Sequence, residues 1–182
     1  MGTRERLLEK GAALFATKGF HGVGVEELGD SVGLTGPSLY RHFRTKGALL
    51  AEMLISVSNS LLEGAKEVVG EKLDPEQTLT ELIDRHIEFA LSNPDLIRVQ
   101  ERDFSNLEEA DARQVRRLQR QYVELWVIQI QRVRRNETLE NARTMAHAVF
   151  GLLNSTPRLQ SGQRRDDVAA LMLALAQRAL LL

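Results

Sequence analysis

The chain has 182 residues, 43% apolar and 27% charged, which fits one or two compact domains and excludes a disordered segment. Lys plus Arg number 24 against 25 Asp plus Glu, a net charge of −1, so any affinity for nucleic acid has to be local. Cysteine is absent, which removes disulfides, thiolate metal ligands and thiol catalysis together and suits a reducing compartment. No apolar run approaches the roughly 18 residues of a membrane span. The charged start Met1-Gly2-Thr3-Arg4-Glu5-Arg6 lacks the apolar stretch of a signal peptide. The expected setting is the cytoplasm, away from the membrane.

In chain order, the pattern predicts an all-α protein. Leu8, Ala12 and Phe15 recur at helical spacing and predict a first helix over Thr3 to Lys18, ended by Gly19. Six of the 13 glycines fall between Gly19 and Gly36, so this part is broken into short pieces. A short helix is expected over Val25 to Val32, then a turn at Gly33-Leu34. Thr35 follows as the cap of another short helix, with Pro37 in its first turn and Leu39 and Phe43 as its buried pair. Thr45 can cap a long helix to about Val69, with Leu50, Met53, Leu54, Val57 and Leu61 as its apolar stripe. Asp74-Pro75-Glu76-Gln77 and Asn93-Pro94-Asp95 read as helix starts. Helices are expected at about 75–92, 94–104, 108–135, 137–155 and 165–181.

Helix, short turn, helix is the geometry of a helix-turn-helix. Val25 to Val32 would support, and Gly36-Pro37-Ser38-Leu39-Tyr40-Arg41-His42-Phe43 would read. Its first residues are small and permit close approach to a groove edge. Leu39 and Phe43 turn inward, leaving Tyr40, Arg41 and His42 outside. From Thr35 to Lys46 the cations are Arg41, Arg44 and Lys46 with no acid, a local +3 suited to phosphate. The same residues also read as a plain solvated helical corner.

Residues 6–54 resemble the N-terminal DNA-binding domain of the TetR family of bacterial repressors. The resemblance rests on Leu14-Phe15-Ala16-Thr17-Lys18-Gly19-Phe20, on Val25 through Gly33-Leu34-Thr35, on Ser38-Leu39-Tyr40-Arg41-His42-Phe43, and on Lys46 with Leu49-Leu50. It implies a three-helix DNA-binding domain over 1–46 and a helical ligand-binding and dimerisation bundle over 47–182. It implies phosphate contacts from Tyr40, His42 and Lys46. It places Thr35, Gly36, Pro37, Ser38 and Arg41 at or near base edges. It further implies a homodimer on a pseudo-palindromic operator, with reading helices about 34–36 Å apart, released by a small-molecule inducer. No metal or cofactor is implied. The chain departs from the family at four glycines: Gly24 for a Ser or Thr cap, Gly29 for Ala at about 1 kcal/mol of helix propensity, Gly36 for a cation, and Gly47 for an acid.

In the remainder, Leu139, Met145, Ala146, Val149, Phe150 and Leu153 form one apolar stripe. Val168, Leu171, Met172, Leu175, Ala179 and Leu182 form another. The resemblance makes this helix pair the dimer interface, with Met145, Val149, Phe150, Leu153, Leu171, Met172, Leu175 and Ala179 as its residues; an ordinary intrachain core is the alternative. His86 lies on the face of Leu79, Leu82, Ile83 and Phe89. Either it is a satisfied core histidine or it hydrogen-bonds an inducer. Tyr122 and Trp126 share a face and read as core or cavity lining. Leu61, Phe89 and Phe104 are further lining candidates, and Arg102 and Asn154 are candidates to orient a ligand. Arg113, Arg116, Arg117 and Arg120 read as a solvated face or as a mouth for an anionic ligand such as a coenzyme A thioester.

An enzyme is not expected. There is no cysteine, His21, His42, His86 and His147 are scattered, and Gly19-Phe20-His21-Gly22-Val23-Gly24 lacks the glycine order of a nucleotide loop. A helical adaptor without DNA binding is the remaining class.

Overall fold

A computed structural model of the chain describes residues 2–159 and 162–181. The helices are α1 (Thr3–Lys18), α2 (Val25–Asp30), α3 (Gly36–Leu39), α4 (Lys46–Gly70), α5 (Pro75–Ser92), α6 (Pro94–Asp103), α7 (Glu109–Val133), α8 (Leu139–Leu153) and α9 (Arg165–Leu180), with 3₁₀ turns at Phe104–Asn106 and Thr156–Arg158. The expected all-α class holds. The long helices start where local chemistry says they should. Thr45 Oγ1 accepts the Ala48 N–H at 3.0 Å. Asp74 Oδ1 accepts the N–H groups of Glu76 and Gln77 at 3.0 Å each, and Pro75 opens α5. Such side-chain oxygens satisfy amides that have no partner inside the helix.

Two short helices stop earlier than the pattern predicts. After Asp30 the hydrogen bonds tighten, with Val32 N–H on Gly29 O and Gly33 N–H on Asp30 O. After Leu39 they alternate, with Arg41 N–H on Ser38 O at 3.3 Å and Phe43 N–H on Leu39 O at 3.0 Å. The expected helix over 36–43 is therefore one α-turn continued as a tighter turn. Gly36 and Pro37 are weak helix formers, and Thr35 spends its hydroxyl on Ser38 Oγ at 3.0 Å instead of on a backbone amide.

The chain divides into two compact units. The first comprises Met1–Val57 and Asp95–Arg116; the second comprises Ser58–Pro94 and Arg117–Leu182. The division at residue 46 expected from sequence does not follow these units. Leu49, Leu50, Met53 and Leu54 of α4, and Val99 and Val115 further on, share one core with Leu7, Phe15, Leu28, Leu39 and Phe43. On α1 the fully buried leucine is Leu7, and Leu8 is only half-buried. Gly19 and Gly33 end their turns at φ of 78° and 75°, where glycine is the residue without a steric penalty.

The second unit has its own core. Leu62, Ala65 and Val68 of α4, Leu79, Leu82, Ile83 and Ile87 of α5, Trp126, Val127 and Ile130 of α7, Ala142, Ala146, Val149 and Leu153 of α8, and Met172, Ala176 and Leu180 of α9 are all buried. This corrects part of the expected dimer face: Val149, Leu153 and Met172 face inward, Met145 is half-buried, and Leu171 and Leu175 are exposed at 56% and 42%, with Ala179 also exposed. Each helix carries one inward and one outward apolar edge, and the sequence stripe merged them. Leu182 lies outside the described residues. By length and a mean hydropathy of 1.2, α4 could cross a membrane, contrary to the sequence estimate. Its apolar side chains are instead shared between the cores of the two units.

Candidate functional sites

The first site is the head formed by α1 to α3 and the start of α4. Leu39 and Phe43 are buried, as expected, and anchor the reading turn. Thr35, Tyr40 and Arg41 are exposed, Tyr40 at 52%; Ser38 and His42 are half-buried. Gly36 and Pro37 form the first turn of α3. Thr35, Ser38, Tyr40, Arg41 and His42 give a polar, partly aromatic surface over the buried Leu39 and Phe43.

Lys46 sits differently from the expectation of a plain surface cation. Its ammonium donates to Phe20 O and Val23 O, both at 2.7 Å, and lies 4.5 Å from the centre of the Phe20 ring. Two of its three N–H groups are thus used inside the head. Other cations act in the same way. Arg4 Nη1 donates to His42 O at 2.6 Å, its guanidinium covers the Phe43 ring at 4.4 Å, and it pairs with Glu52. Arg6 Nη2 donates to Val32 O at 3.1 Å. The carbonyls of Val32 and His42 follow the ends of α2 and α3, where a cation also meets the negative end of the local dipole, while those of Phe20 and Val23 belong to the loop before α2. The outward positive charge of the reading turn is therefore carried by the exposed Arg41 and Arg44. Sequence reasoning missed these contacts, because nothing local marks a cation as bound to a distant carbonyl.

Gly29 also has a role the sequence comparison misread. Its carbonyl accepts the Leu34 N–H at 2.9 Å, and a Cβ there would stand 2.6 Å from Leu34 O. The turn between α2 and α3 closes against this missing side chain.

The second site is a cleft of about 570 Å³ in the second unit, between α4 and α5 with Tyr122 of α7. Of the candidate ligand-binding residues, Leu61, Phe89 and Tyr122 line it. Glu63, Glu67, Arg85, Glu88, Ser92 and Asn93, all unpredicted, line it too. Their signal was present, at spacings of three to four on two consecutive helices, but polar side chains at such spacing also describe an ordinary solvated face. Arg85 is already engaged: it donates to Glu67 at 3.1 Å and lies 3.6 Å from Glu81 and 4.0 Å from Glu71.

His86, Trp126 and Asn154 do not line this cleft. His86 bridges Tyr122 and Asn154 at 2.9 and 3.0 Å. Asn154 Oδ1 can only accept, so His86 Nε2 carries the proton and Nδ1 accepts from the Tyr122 hydroxyl. Burial pushes His86 down to about 4, against a smaller upward pull from Asn154. Burial also raises the Tyr122 hydroxyl above its ordinary value. The imidazole is therefore neutral and satisfied, the core outcome of the two readings. Phe150, expected at a dimer face, closes this cluster, with ring centres 5.1 Å from His86 and 4.7 Å from Trp126.

Arg102 and Phe104 belong to the first unit and line no part of the cleft. Arg102 is spent on backbone carbonyls of α1, and Phe104 lies under the Arg116 guanidinium at 5.7 Å. Arg113 and Arg116 pair with Glu109. Arg117 and Arg120 are exposed, and the run does not line the cleft.

The sequence profile described as bacterial regulatory proteins, tetR family, matches residues 7–53, and that described as tetracyclin repressor-like, C-terminal domain, matches residues 72–180. The HTH-type transcriptional repressor KstR2 of Rhodococcus jostii (strain RHA1) is 34% identical over 82 residues, 45% of this chain, and the match spans only 40% of that relative. A TetR-family transcriptional regulator from Bordetella parapertussis 12822 superposes with a TM-score of 0.86 at 21% identity, over 95% of this chain and 93% of the other. AibR, solved with isovaleryl coenzyme A and operator DNA, gives 0.75 at 14% identity, over 96% and 97%. The structural likenesses establish the fold, and the two profiles cover the head and most of the helical remainder. The chain belongs to the TetR family of bacterial transcriptional regulators.

Proposed function

We propose that this chain is a ligand-responsive repressor that binds a pseudo-palindromic operator as a homodimer in the bacterial cytoplasm and is released by a small-molecule inducer. The observation that carries this reading is the head: Tyr40 and Arg41 stand exposed on a turn whose Leu39 and Phe43 are fully anchored. Tyr40, His42 and the remaining N–H of Lys46 contact phosphate; Thr35, Gly36, Pro37, Ser38 and Arg41 approach the bases. Phosphate contacts set position and base contacts set sequence. Two copies pair through the outer edge of α8 and α9, where Leu171, Leu175 and Ala179 are exposed. Paired helices from two copies form a four-helix interface.

The inducer occupies the cleft lined by Leu61, Phe89 and Tyr122. Its lining carries three carboxylates and one arginine already shared among carboxylates. That chemistry favours a lipophilic molecule that is neutral or cationic over an acyl-coenzyme A, whose phosphates would meet Glu63, Glu67 and Glu88. The acyl-coenzyme A reading keeps one support, the exposed Arg117 and Arg120.

The test has two arms. Selection from a random duplex pool should enrich an inverted repeat, and no enrichment would leave the helical-adaptor reading. A thermal-melt panel of lipophilic amines, neutral lipids and acyl-coenzyme A thioesters follows. A ligand at 100 times its Kd adds about 2.7 kcal/mol. A shift from thioesters alone would overturn the inducer class.

A further inference from the structure

We propose that Arg102 and Asp103, at the end of α6, are positioning residues of the DNA-reading head; their effect on operator binding rests on the DNA-binding reading above. Both belong to the same compact unit as α1 to α3. Arg102 donates from Nη2 to Phe15 O and from Nη1 to Ala16 O at 3.3 Å, two carbonyls in the last turn of α1. The Asp103 carboxylate is buried, at 4% exposure, and Oδ1 accepts the Phe20 N–H at 3.2 Å. Arg102 neutralises it, with Nη2 at 3.1 Å from Oδ2 and Nε at 3.3 Å from Oδ1. The pair therefore holds the chain on both sides of Gly19: carbonyls before it and the amide after it.

The same loop is held from its other side. Phe20 O and Val23 O both accept from Lys46, the first residue of α4. Val23 precedes Gly24, which caps α2, and α2 leads into the reading turn through the Leu34 N–H on Gly29 O. Phe20 is thus fixed by its amide to α6, by its carbonyl to α4, and by its ring to Phe15 at 5.6 Å. The start of α2, and with it the placement of α3, depends on these contacts.

A helix C-terminus needs only a donor to satisfy its carbonyls. A buried carboxylate beside that donor adds little net stability, because desolvation offsets the attraction, and an apolar pair of similar volume often holds a fold as well. What Asp103 adds is direction: it selects one amide, that of Phe20, and fixes the path of the loop.

The experiment compares the parent protein with Asp103→Ala and with the double variant Arg102→Met/Asp103→Leu. Amide hydrogen exchange is read residue by residue, together with melting temperature and operator binding by fluorescence anisotropy. Asp103→Ala removes the acceptor and should speed exchange of the Phe20 amide and of the first amides of α2 at least tenfold, leaving α9 unchanged. The double variant should melt close to the parent yet bind the selected operator about tenfold more weakly. Exchange at Phe20 and α2 that stays at parental rates would overturn the proposal. So would parental operator affinity in a double variant whose exchange has risen. If the double variant does not fold, Asp103→Ala decides on both readouts. If the parent selects no DNA, the DNA-binding reading fails, and the exchange pattern still decides whether these residues position the head.

Discussion

The two units differ in where their polar groups go. In the head, polar groups hold backbone. Arg4, Arg6, Lys46 and Arg102 bind carbonyls of helix ends and loops, the buried Asp103 takes the Phe20 amide, and Leu7, Phe15, Leu28, Leu39 and Phe43 form an apolar core. In the second unit a polar network sits at the centre: His86, Tyr122 and Asn154 are joined by hydrogen bonds amid Trp126 and Phe150. The first arrangement fixes the direction of small pieces and leaves their outer faces available. The second fixes one packing of long helices and makes it sensitive to protonation.

The strongest break of this contrast is Trp126→Ala. Trp126 is fully buried, and removing an indole from a packed core costs about 3–5 kcal/mol. It is the chain's single tryptophan, so unfolding of the variant has to be followed by circular dichroism. A denaturation midpoint within experimental error of the parent would show that the aromatic cluster does not hold the second unit.

Protonation gives the next effect. Folded His86 titrates near 4, below the ordinary 6.5. As pH falls the unfolded chain takes up the proton first, so stability is complete above about pH 6.5, declines toward pH 4, and then levels. The full loss is on the order of 3 kcal/mol, at up to 1.36 kcal/mol per pH unit. Urea midpoints between pH 7 and 5 should fall for the parent and stay nearly flat for His86→Gln. A parent without that slope would mean that His86 is protonated when folded.

The same contrast explains what could be read from sequence. The long helices were legible because their signals are local: Thr45 and Asp74-Pro75 sit beside the amides they satisfy. The reading turn was legible because anchors and exposed residues alternate within eight positions, Gly36 to Phe43. The roles of Lys46 and Arg102 were not, since their partners lie 23 and 86 residues away. The cleft was half legible. Its apolar residues stood out and its acids looked like solvent. The dimer stripe blurred because α9 is apolar on both edges, Met172 inward and Leu171 outward.

Gly29 sharpens the comparison by sign. Helix propensity alone says that Gly29→Ala gains about 1 kcal/mol. The contact of 2.6 Å between a new Cβ and Leu34 O is with backbone, which cannot rotate aside. The turn must shift, and forced packing of this kind typically costs 1–3 kcal/mol. Gly29→Ala should lower the melting temperature and weaken operator binding. A more stable variant would mean that the turn has slack the structure does not show.

The smallest effect tests the head's outer face. Tyr40 is half-exposed, so Tyr40→Phe removes a hydroxyl without disturbing the core. One lost hydrogen bond is worth about 1 kcal/mol, or roughly fivefold in operator affinity. Tyr40 is neutral, so the dependence of affinity on salt should not change. Arg41→Ala, by contrast, should lower the salt slope by about 1 if Arg41 meets phosphate, and should relax preference at one base position if it meets guanine. Read together at two salt concentrations, the two variants separate a contact that positions from one that specifies. Unchanged affinity in both, at unchanged melting temperature, would move the DNA-facing surface elsewhere on the head.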